Sequence, residues 1–388
     1  MMVGVMAAHS TLIELGLLFG RLGTVAFGGP AAHIAMMRDE VVIRRHWMTE
    51  GEFLDLVGAT HLIPGPNSTE LAIHIGHRRA GVPGLLVAGT AFIFPATVIV
   101  GALAWAYVTY GARPDVRAVF YGIAPVVIAV VAQALQGMAR SAVTSAWLAA
   151  VGLGALVGAA LGVHELLILL VAAVAALAGR LRRGPRALAG VLAAVLMAGP
   201  RAASAWTLAS VAGTSTATLG GLFGVFLKTG AVLFGSGYVL LAFLRADLVE
   251  RLGWLTEGQL VDAIAIGQFT PGPVFTTATF VGYLLAGPPG AVVATVGIFI
   301  PAFIFVAISA PLVPRLRASP TLGAVLDGVT VASLALMATV TWQLARVSLT
   351  DTTTVLLAVT SFVVLLGKRI NSAWLIGAGA AVGLLTQG

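Results

Sequence analysis

The sequence predicts an all-α polytopic membrane protein made of two inverted-topology repeats. Each repeat is expected to hold about five transmembrane helices and one re-entrant helical hairpin. Three observations point there. Apolar residues make up 59% of the 388 and charged residues only 10%, against about 25% charge in a soluble domain, so the chain lacks the polar surface to face water. The stretch Phe19–Pro66 returns 207 residues later, without a gap, as Phe226–Pro273, identical at 17 of 48 positions. The basic residues also segregate between loops, as they do in proteins that lie across a bilayer.

Residues 1–186 form the first repeat, 187–217 a linker with a short apolar helix, and 218–388 the second repeat. The N-terminus has no basic region ahead of its first apolar run, so no cleavable signal is expected. Apolar spans near 20 residues are candidate crossings. In the first half these are Thr11–Gly29, Pro83–Tyr110, Val116–Met138, Ser145–Gly162 and His164–Gly179. In the second they are Thr218–Gly237, Gly290–Val313, Thr321–Gln343, Thr353–Leu366 and Ser372–Leu385. The 47 glycines suit close helix packing in lipid.

After the first span of each half, Thr49-x-x-Glu52 and Thr256-x-x-Gln259 carry a capping-box pattern. Each starts a helix that stops at Pro-Gly-Pro, and a second short helix then begins. Two short helices about such a break fit a re-entrant hairpin, because irregular backbone at membrane depth needs protein or a wet cavity around it. With five crossings per half and the N-terminus outside, the inside receives 15 basic residues and the outside 5. An odd number of crossings inverts the second copy. A rival count makes each hairpin, and Ala187–Trp206, a full crossing.

Arg21 and its counterpart Lys228 stand alone inside these apolar stretches. A charge at mid-bilayer costs at least ~2.5–3.5 kcal/mol, so something must offset it. A contact with Glu14, two turns earlier, is the structural explanation for Arg21; the equivalent position before Lys228 is Gly221. The functional explanation is that both cations face a cavity and meet an anion. Gly28 and Gly29, and Gly235 and Ser236, would unwind the first helix of each copy or simply end it in an ordinary turn. Pro64-Gly65-Pro66 and Pro271-Gly272-Pro273 would expose free N–H groups at the next helix start: Asn67, Ser68 and Thr69 in one copy, Val274, Phe275 and Thr276 in the other. Hydroxyls of Ser68, Thr69, Thr276 and Thr277 add donors. Such helix N-termini bind anions, and together these groups make a cage for a tetrahedral oxyanion. A tight turn is the plainer explanation of one Pro-Gly-Pro; its recurrence favours a site.

Arg38/Arg245, Asp55/Asp262 and Glu50/Glu257 also recur, as expected of interfacial ion pairs or gates. Trp47 and Trp254 are expected as interface anchors. His61 matches Gln268, which argues against proton coupling through that position. No cysteine, P-loop, nucleophile elbow or dinucleotide turn is present. The chain is therefore expected not to be an enzyme and to hold no metal or cofactor. Its positive charge follows topology rather than nucleic-acid binding. The expected partners are a tetrahedral oxyanion and membrane lipids, with a homodimer left open.

In these residues the chain resembles the chromate ion transporter family. The resemblance is carried by Phe27-Gly28-Gly29-Pro30 with Arg38-Asp39 downstream, Trp47-x-Thr49 and Pro64-Gly65-Pro66. The second copy adds Phe234-Gly235-x-Gly237 and Pro271-Gly272-Pro273, with Ser236-Gly237 where the first copy has Gly29-Pro30. It covers nearly the whole chain, and it implies export of chromate across the cytoplasmic membrane, giving chromate resistance, with sulfate as the natural competitor. Moving a dianion outward across ~100 mV is worth about 4.6 kcal/mol, roughly a thousandfold gradient or more. An oxyanion importer coupled to protons through Glu14, or an anion channel, are the alternatives on the same scaffold.

Overall fold

The computed structural model describes residues 2–26, 29–180, 217–234, 239–310, 320–367 and 372–387. Every regular element among them is helical. The first half contains α1 (Met2–Val25), α2 (Gly29–Arg38), α3 (Glu50–Thr60), α4 (Asn67–Tyr110), α5 (Pro114–Ala142), α6 (Ala146–Ala160) and α7 (Glu165–Arg180). The second contains α8 (Leu219–Val232), α9 (Leu240–Leu244), α10 (Glu257–Phe269), α11 (Thr277–Ser309, entered through a 3-10 turn at Val274–Thr276), α12 (Pro320–Ser348), α13 (Thr352–Gly367) and α14 (Ser372–Gln387). Four helices are long and apolar enough to cross a membrane: Asn67–Tyr110, Pro114–Ala142, Val274–Ser309 and Gly323–Ser348. Leu86, Phe94, Val98, Trp105 and Val108 leave an exposed apolar face along the second limb of α4, which only hydrocarbon solvates without cost. The linker 187–217 lies, but for its last residue, outside the described residues.

The expected spans coincide closely with helices, and both capping boxes form: Thr49 with Glu52, and Thr256 with Gln259. α4 and α11 are each two limbs. Ala80-Gly81 and Ala286-Gly287 leave helical geometry with nearly the same angles, the glycines at φ +60° and +63°, a region only glycine enters freely. The limbs then fold back on each other. A Cβ on Gly76 would strike the carbonyl of Gly84, and one on Gly282 that of Gly290. α3 has 11 residues and spans about 16 Å; the first limb of α4, Asn67–Arg79, spans about 20 Å. Neither reaches across a hydrocarbon core of ~30 Å. The second limb, at about 43 Å, does.

One segment departs from expectation. Pro30–Arg44, read as loop, is α2 continued by a π-helical turn at Asp39–Arg44, and Arg245–Arg251 repeats that turn after α9. In both copies the turn ends on a matched bond, Trp47 N–H to Val41 and Trp254 N–H to Leu248, each 2.8 Å. α2 runs back along α1: His33 meets Ala26, Glu40 meets Arg21 and Arg45 meets Glu14. His33, Arg38, Asp39 and Glu40 hide this helix from hydropathy: His33, Arg38 and Glu40 find partners well away in sequence, and Asp39 pairs with Arg44 in the following turn. α1 lies parallel to the second limb of α4, with Gly16 against Val87 and Gly23 against Phe92. Ala26 is thus level with Ala96, midway along that limb.

The halves interlock. Leu85 clusters with Val306 and Gly89 lies against Phe303, the order of contact found between antiparallel helices. α6 and α7 pack on α12 of the other half, while α13 and α14 pack on α5. Small residues allow the closest of these approaches. Gly122 of α5 meets Gly379 and Gly383 of α14, and Gly328 of α12 meets Ala172 and Ala176 of α7.

A Cβ at Gly122 would overlap the Gly379 carbonyl. Gly122→Val is expected to cost about 1–3 kcal/mol through overpacking, read as a lower unfolding temperature of the purified protein. Gly101→Ala, which meets no atom within 4 Å, is expected to leave stability unchanged or slightly raised.

Candidate functional site

The two Pro-Gly-Pro breaks meet the other half. Gly65 N–H donates to Leu233 O at 2.8 Å, and Gly272 N–H donates to Ala26 O at 2.9 Å. Ala26 and Leu233 occupy equivalent positions at the ends of α1 and α8, so each broken helix caps the first helix of the other copy. Gly65 and Gly272 stand at φ +139° and +88°, a region costly for any residue with a Cβ. A Cβ would also meet Ala302 beside Gly65 and Ala96 beside Gly272, again equivalent residues. Pro64-Gly65-Pro66 and Pro271-Gly272-Pro273 are therefore crossing points between halves as well as helix breaks.

The amide cradle is smaller than the sequence suggested. The Thr69 and Thr276 N–H groups donate to Pro66 O at 2.8 Å and Pro273 O at 3.0 Å. Asn67 and Ser68, and Val274 and Phe275, keep N–H groups that have no intrahelical acceptor by position. Thr276 and Thr277 hydroxyls donate to Pro273 O and Val274 O, both at 2.8 Å, because first-turn threonines reach back to their own backbone. They are not free to serve an anion. Ser68 Oγ bonds His33 Nδ1 at 3.2 Å, and Asn67 Nδ2 lies 3.1 Å from His61 Nδ1. Gly29 opens α2 at φ +77°. Gly28, Gly235 and Ser236 lie outside the described residues.

Arg21 and Lys228 are not bare cations. Arg21 pairs with Glu40, which also takes Arg45 at 3.2 Å and Arg44 at 3.4 Å. Lys228 pairs with Asp247 at 2.9 Å and with Glu165 of the first half at 3.2 Å. Asp247 also accepts Arg251 at 2.9 Å. Glu40 and Asp247 are equivalent, each presented by its π turn, where a wider turn redirects a side chain. The suggested Arg21–Glu14 contact does not form. Glu14 takes Arg45 at 2.7 Å and Arg79 at 3.9 Å, two turns away on α1, and both guanidinium groups cover Trp47, 5.3 and 5.0 Å from its ring centre.

The acids that hold Arg21 and Lys228 each line a cavity. One of about 420 Å³ is lined by Arg21, Leu22, Ala35, Asp39, Glu40 and Arg44. The other, about 480 Å³, is lined among others by Glu165, Ala242, Asp247, Glu250, Arg251 and Gln343. Ala35 and Ala242, Glu40 and Asp247, and Arg44 and Arg251 are matched pairs, so the two cavities occupy equivalent places. The first is lined by two acids and two arginines and the second by three acids, two arginines and His164, so an entering anion must compete with carboxylates for the cations.

The other recurring charges brace the hairpins. Arg38 pairs with Glu50 at 2.6 Å, and Arg245 with Glu257 at 3.2 Å and with Glu250. The hydrogen bond from Arg38 holds the Glu50 carboxyl below its ordinary range. Asp262 accepts 2.6 Å from the Tyr107 hydroxyl across the halves; Asp55 is engaged as well. No group of three or more metal-binding side chains occurs among the described residues.

One group escaped the sequence reading. Glu70 is fully buried, and neither carboxylate oxygen has a hydrogen-bond partner among the described residues. It lies under Gly65, where a Cβ would collide with it. An acid in the first turn of a helix reads as ordinary dipole compensation. A better signal was its place as the one acid in the run Pro66–Gly76.

A sequence profile of the chromate transporter family matches residues 13–179 and again 220–384. The chromate transport protein of Cupriavidus metallidurans is 32% identical over 97% of this chain and 93% of its own length. The probable chromate transport protein of Synechococcus elongatus is 32% identical over 97% and 95%, and the chromate transport protein of Pseudomonas aeruginosa 34% over 85% and 80%. No solved structure matches.

Removing one member of a buried ion pair leaves the other uncompensated. Asp247→Ala is expected to destabilise the protein by about 3 kcal/mol, at the low end for such breaks because Glu165 stays beside Lys228. Lys228→Met with Asp247→Leu is expected to recover most of that loss. Thermal unfolding of the purified variants checks both, and equal damage in single and double variants would refute the pairing energetics.

Proposed function

This chain belongs to the chromate transporter family, and on that premise we propose that it exports chromate across the cytoplasmic membrane by alternating access. The observation that carries the proposal is the pair of matched cavities, each lined by a carboxylate that holds a cation of the first helix: Glu40 with Arg21, Asp247 with Lys228. On this reading the carboxylates stand where the dianion binds. Chromate displaces them and takes the cation, aided by the unpaired first-turn N–H groups of Asn67, Ser68, Val274 and Phe275. Sulfate, a dianion of the same shape, competes.

The halves are read as inverted repeats. Antiparallel contact between α4 and α11, the exchanged bonds Gly65–Leu233 and Gly272–Ala26 and the exchanged helix pairs support a two-fold axis in the membrane plane. On this topology α3 with the first limb of α4, and α10 with the start of α11, are re-entrant hairpins too short to cross. α1 with α2 makes a further hairpin from the same side. The crossing backbone bonds at the two tips are the natural pivots for motion of one half against the other. The membrane potential drives a dianion outward without ATP.

Arg21→Ala and Lys228→Ala are each expected to lower chromate export at least tenfold while the protein still inserts, measured as uptake into inverted vesicles and as resistance of the host. Unimpaired resistance in both, at normal expression, would remove these cations from the site. Glu40→Gln frees Arg21 from competition and is expected to tighten apparent chromate affinity about tenfold, the equivalent of ~1.4 kcal/mol. Saturable counterflow is expected of a carrier; its absence, with linear flux, would mark a channel.

A further inference from the structure

We propose that Glu70 is a proton site coupled to the anion, so that a proton and the dianion are held at the first Pro-Gly-Pro tip together. This rests on the transport reading above and adds to it a coupling ion and the residue that carries it.

The geometry singles out one position. Four of the nine buried side-chain atoms that lack a partner among the described residues belong to Thr69, Glu70 and His74: Thr69 Oγ1, both Glu70 oxygens and His74 Nε2. Glu70 and His74 are one turn apart on the same face of the first limb of α4, both buried. His77 and Arg78 continue the limb to its end, where Arg78 pairs with Glu52 at the rim. Titratable groups thus run from the buried tip to the surface along one short helix.

The groups facing Glu70 give it no counter-charge. From α2 comes His33, whose Nδ1 bonds Ser68 Oγ and whose Nε2 lies 3.0 Å from Ala26 O. From the end of α3 comes His61, beside Asn67. The cation of α1, Arg21, is taken by Glu40. The second limb of α11 presents Ala302 and Phe303 and carries no titratable residue; Tyr283 lies on the first limb. A carboxylate ion in such a place has no cation and no hydrogen-bond donor among the described residues, only the helix dipole to favour it, and beside the amides that receive a dianion it would repel the substrate. With a proton added, the same group tolerates the dianion. Proton and anion therefore bind cooperatively, and each anion moves with one negative charge offset.

The second copy lacks every one of these groups. The positions of His33, His61, Glu70 and His74 hold Leu240, Gln268, Thr277 and Phe280 there, the second copy being one residue shorter before Gly282. Coupling is assigned to one tip of a duplicated pair, and the matched Gln268 is no objection to it. One proton per dianion halves the voltage drive on export and adds a dependence on the pH gradient.

The test uses purified full-length protein in liposomes, with potential clamped by potassium and valinomycin. Counterflow of labelled against unlabelled chromate is measured first, then net flux driven by a gradient of one pH unit. In the wild type the gradient is expected to support up to tenfold accumulation of chromate toward the alkaline side. Glu70→Gln is expected to retain counterflow and lose that accumulation. Chromate's own protonation acts equally on both proteins and is cancelled by the comparison. Accumulation undiminished in Glu70→Gln, no response to pH in a wild type that shows counterflow, or a response to a sodium gradient instead, each overturns the proposal. Should Glu70→Gln not fold, proton uptake on adding chromate to weakly buffered wild-type protein decides: about one proton per chain supports the site and none overturns it. A wild type without counterflow sinks the transport reading itself, and this inference with it.

Discussion

In each half the first helix stops inside the protein, and a buried helix end must find donors for carbonyls that have lost their own. Here the donor is the backbone of the other half: Gly272 for Ala26 and Gly65 for Leu233. Much of the architecture follows from that exchange. The tips must approach closely, so they carry glycine at φ values closed to other residues. Small side chains, Ala96 and Ala302, must line the approach. The broken helices must be held at the right depth, which the capping boxes and the Arg38–Glu50 and Arg245–Glu257 braces do at the rim.

The charge clusters obey a related constraint. A lone cation along α1 or α8 is costly in lipid, and the fold offsets that by returning a second helix alongside it. The π turn in each return brings one acid to the cation. The result is a pair of clusters in which each cation is compensated by an acid. On the transport reading proposed above, affinity for substrate would draw on the same contacts as stability.

Local signals made much of this legible in the sequence. Duplication, capping boxes, proline breaks and apolar spans act within a few residues, and the helices match them closely. What stayed hidden depends on distant pairing. Glu40 and Asp247 look like loop acids until Arg21 and Lys228 are seen beside them. α2 looks polar until its partners on α1 are known. Thr276 and Thr277 look like donors to a ligand until their hydroxyls are found turned back on Pro273 and Val274. Glu70 was visible as a letter, but the absence of any partner is a property of three dimensions. The exchange of terminal helix pairs has no counterpart in any single segment.

That exchange governs how the molecule is made. α7 ends at Arg180 and the helix it packs against begins at Pro320, 140 residues later by subtraction. At about 5–20 residues per second, the first half emerges from the ribosome roughly ten seconds or more before its partner surface exists. Its terminal helices must wait in the lipid, exposing the small-residue faces that α12 will later cover. Final assembly is therefore a late, post-insertion event, and a nascent chain stalled midway would be an open structure, vulnerable to quality-control proteolysis.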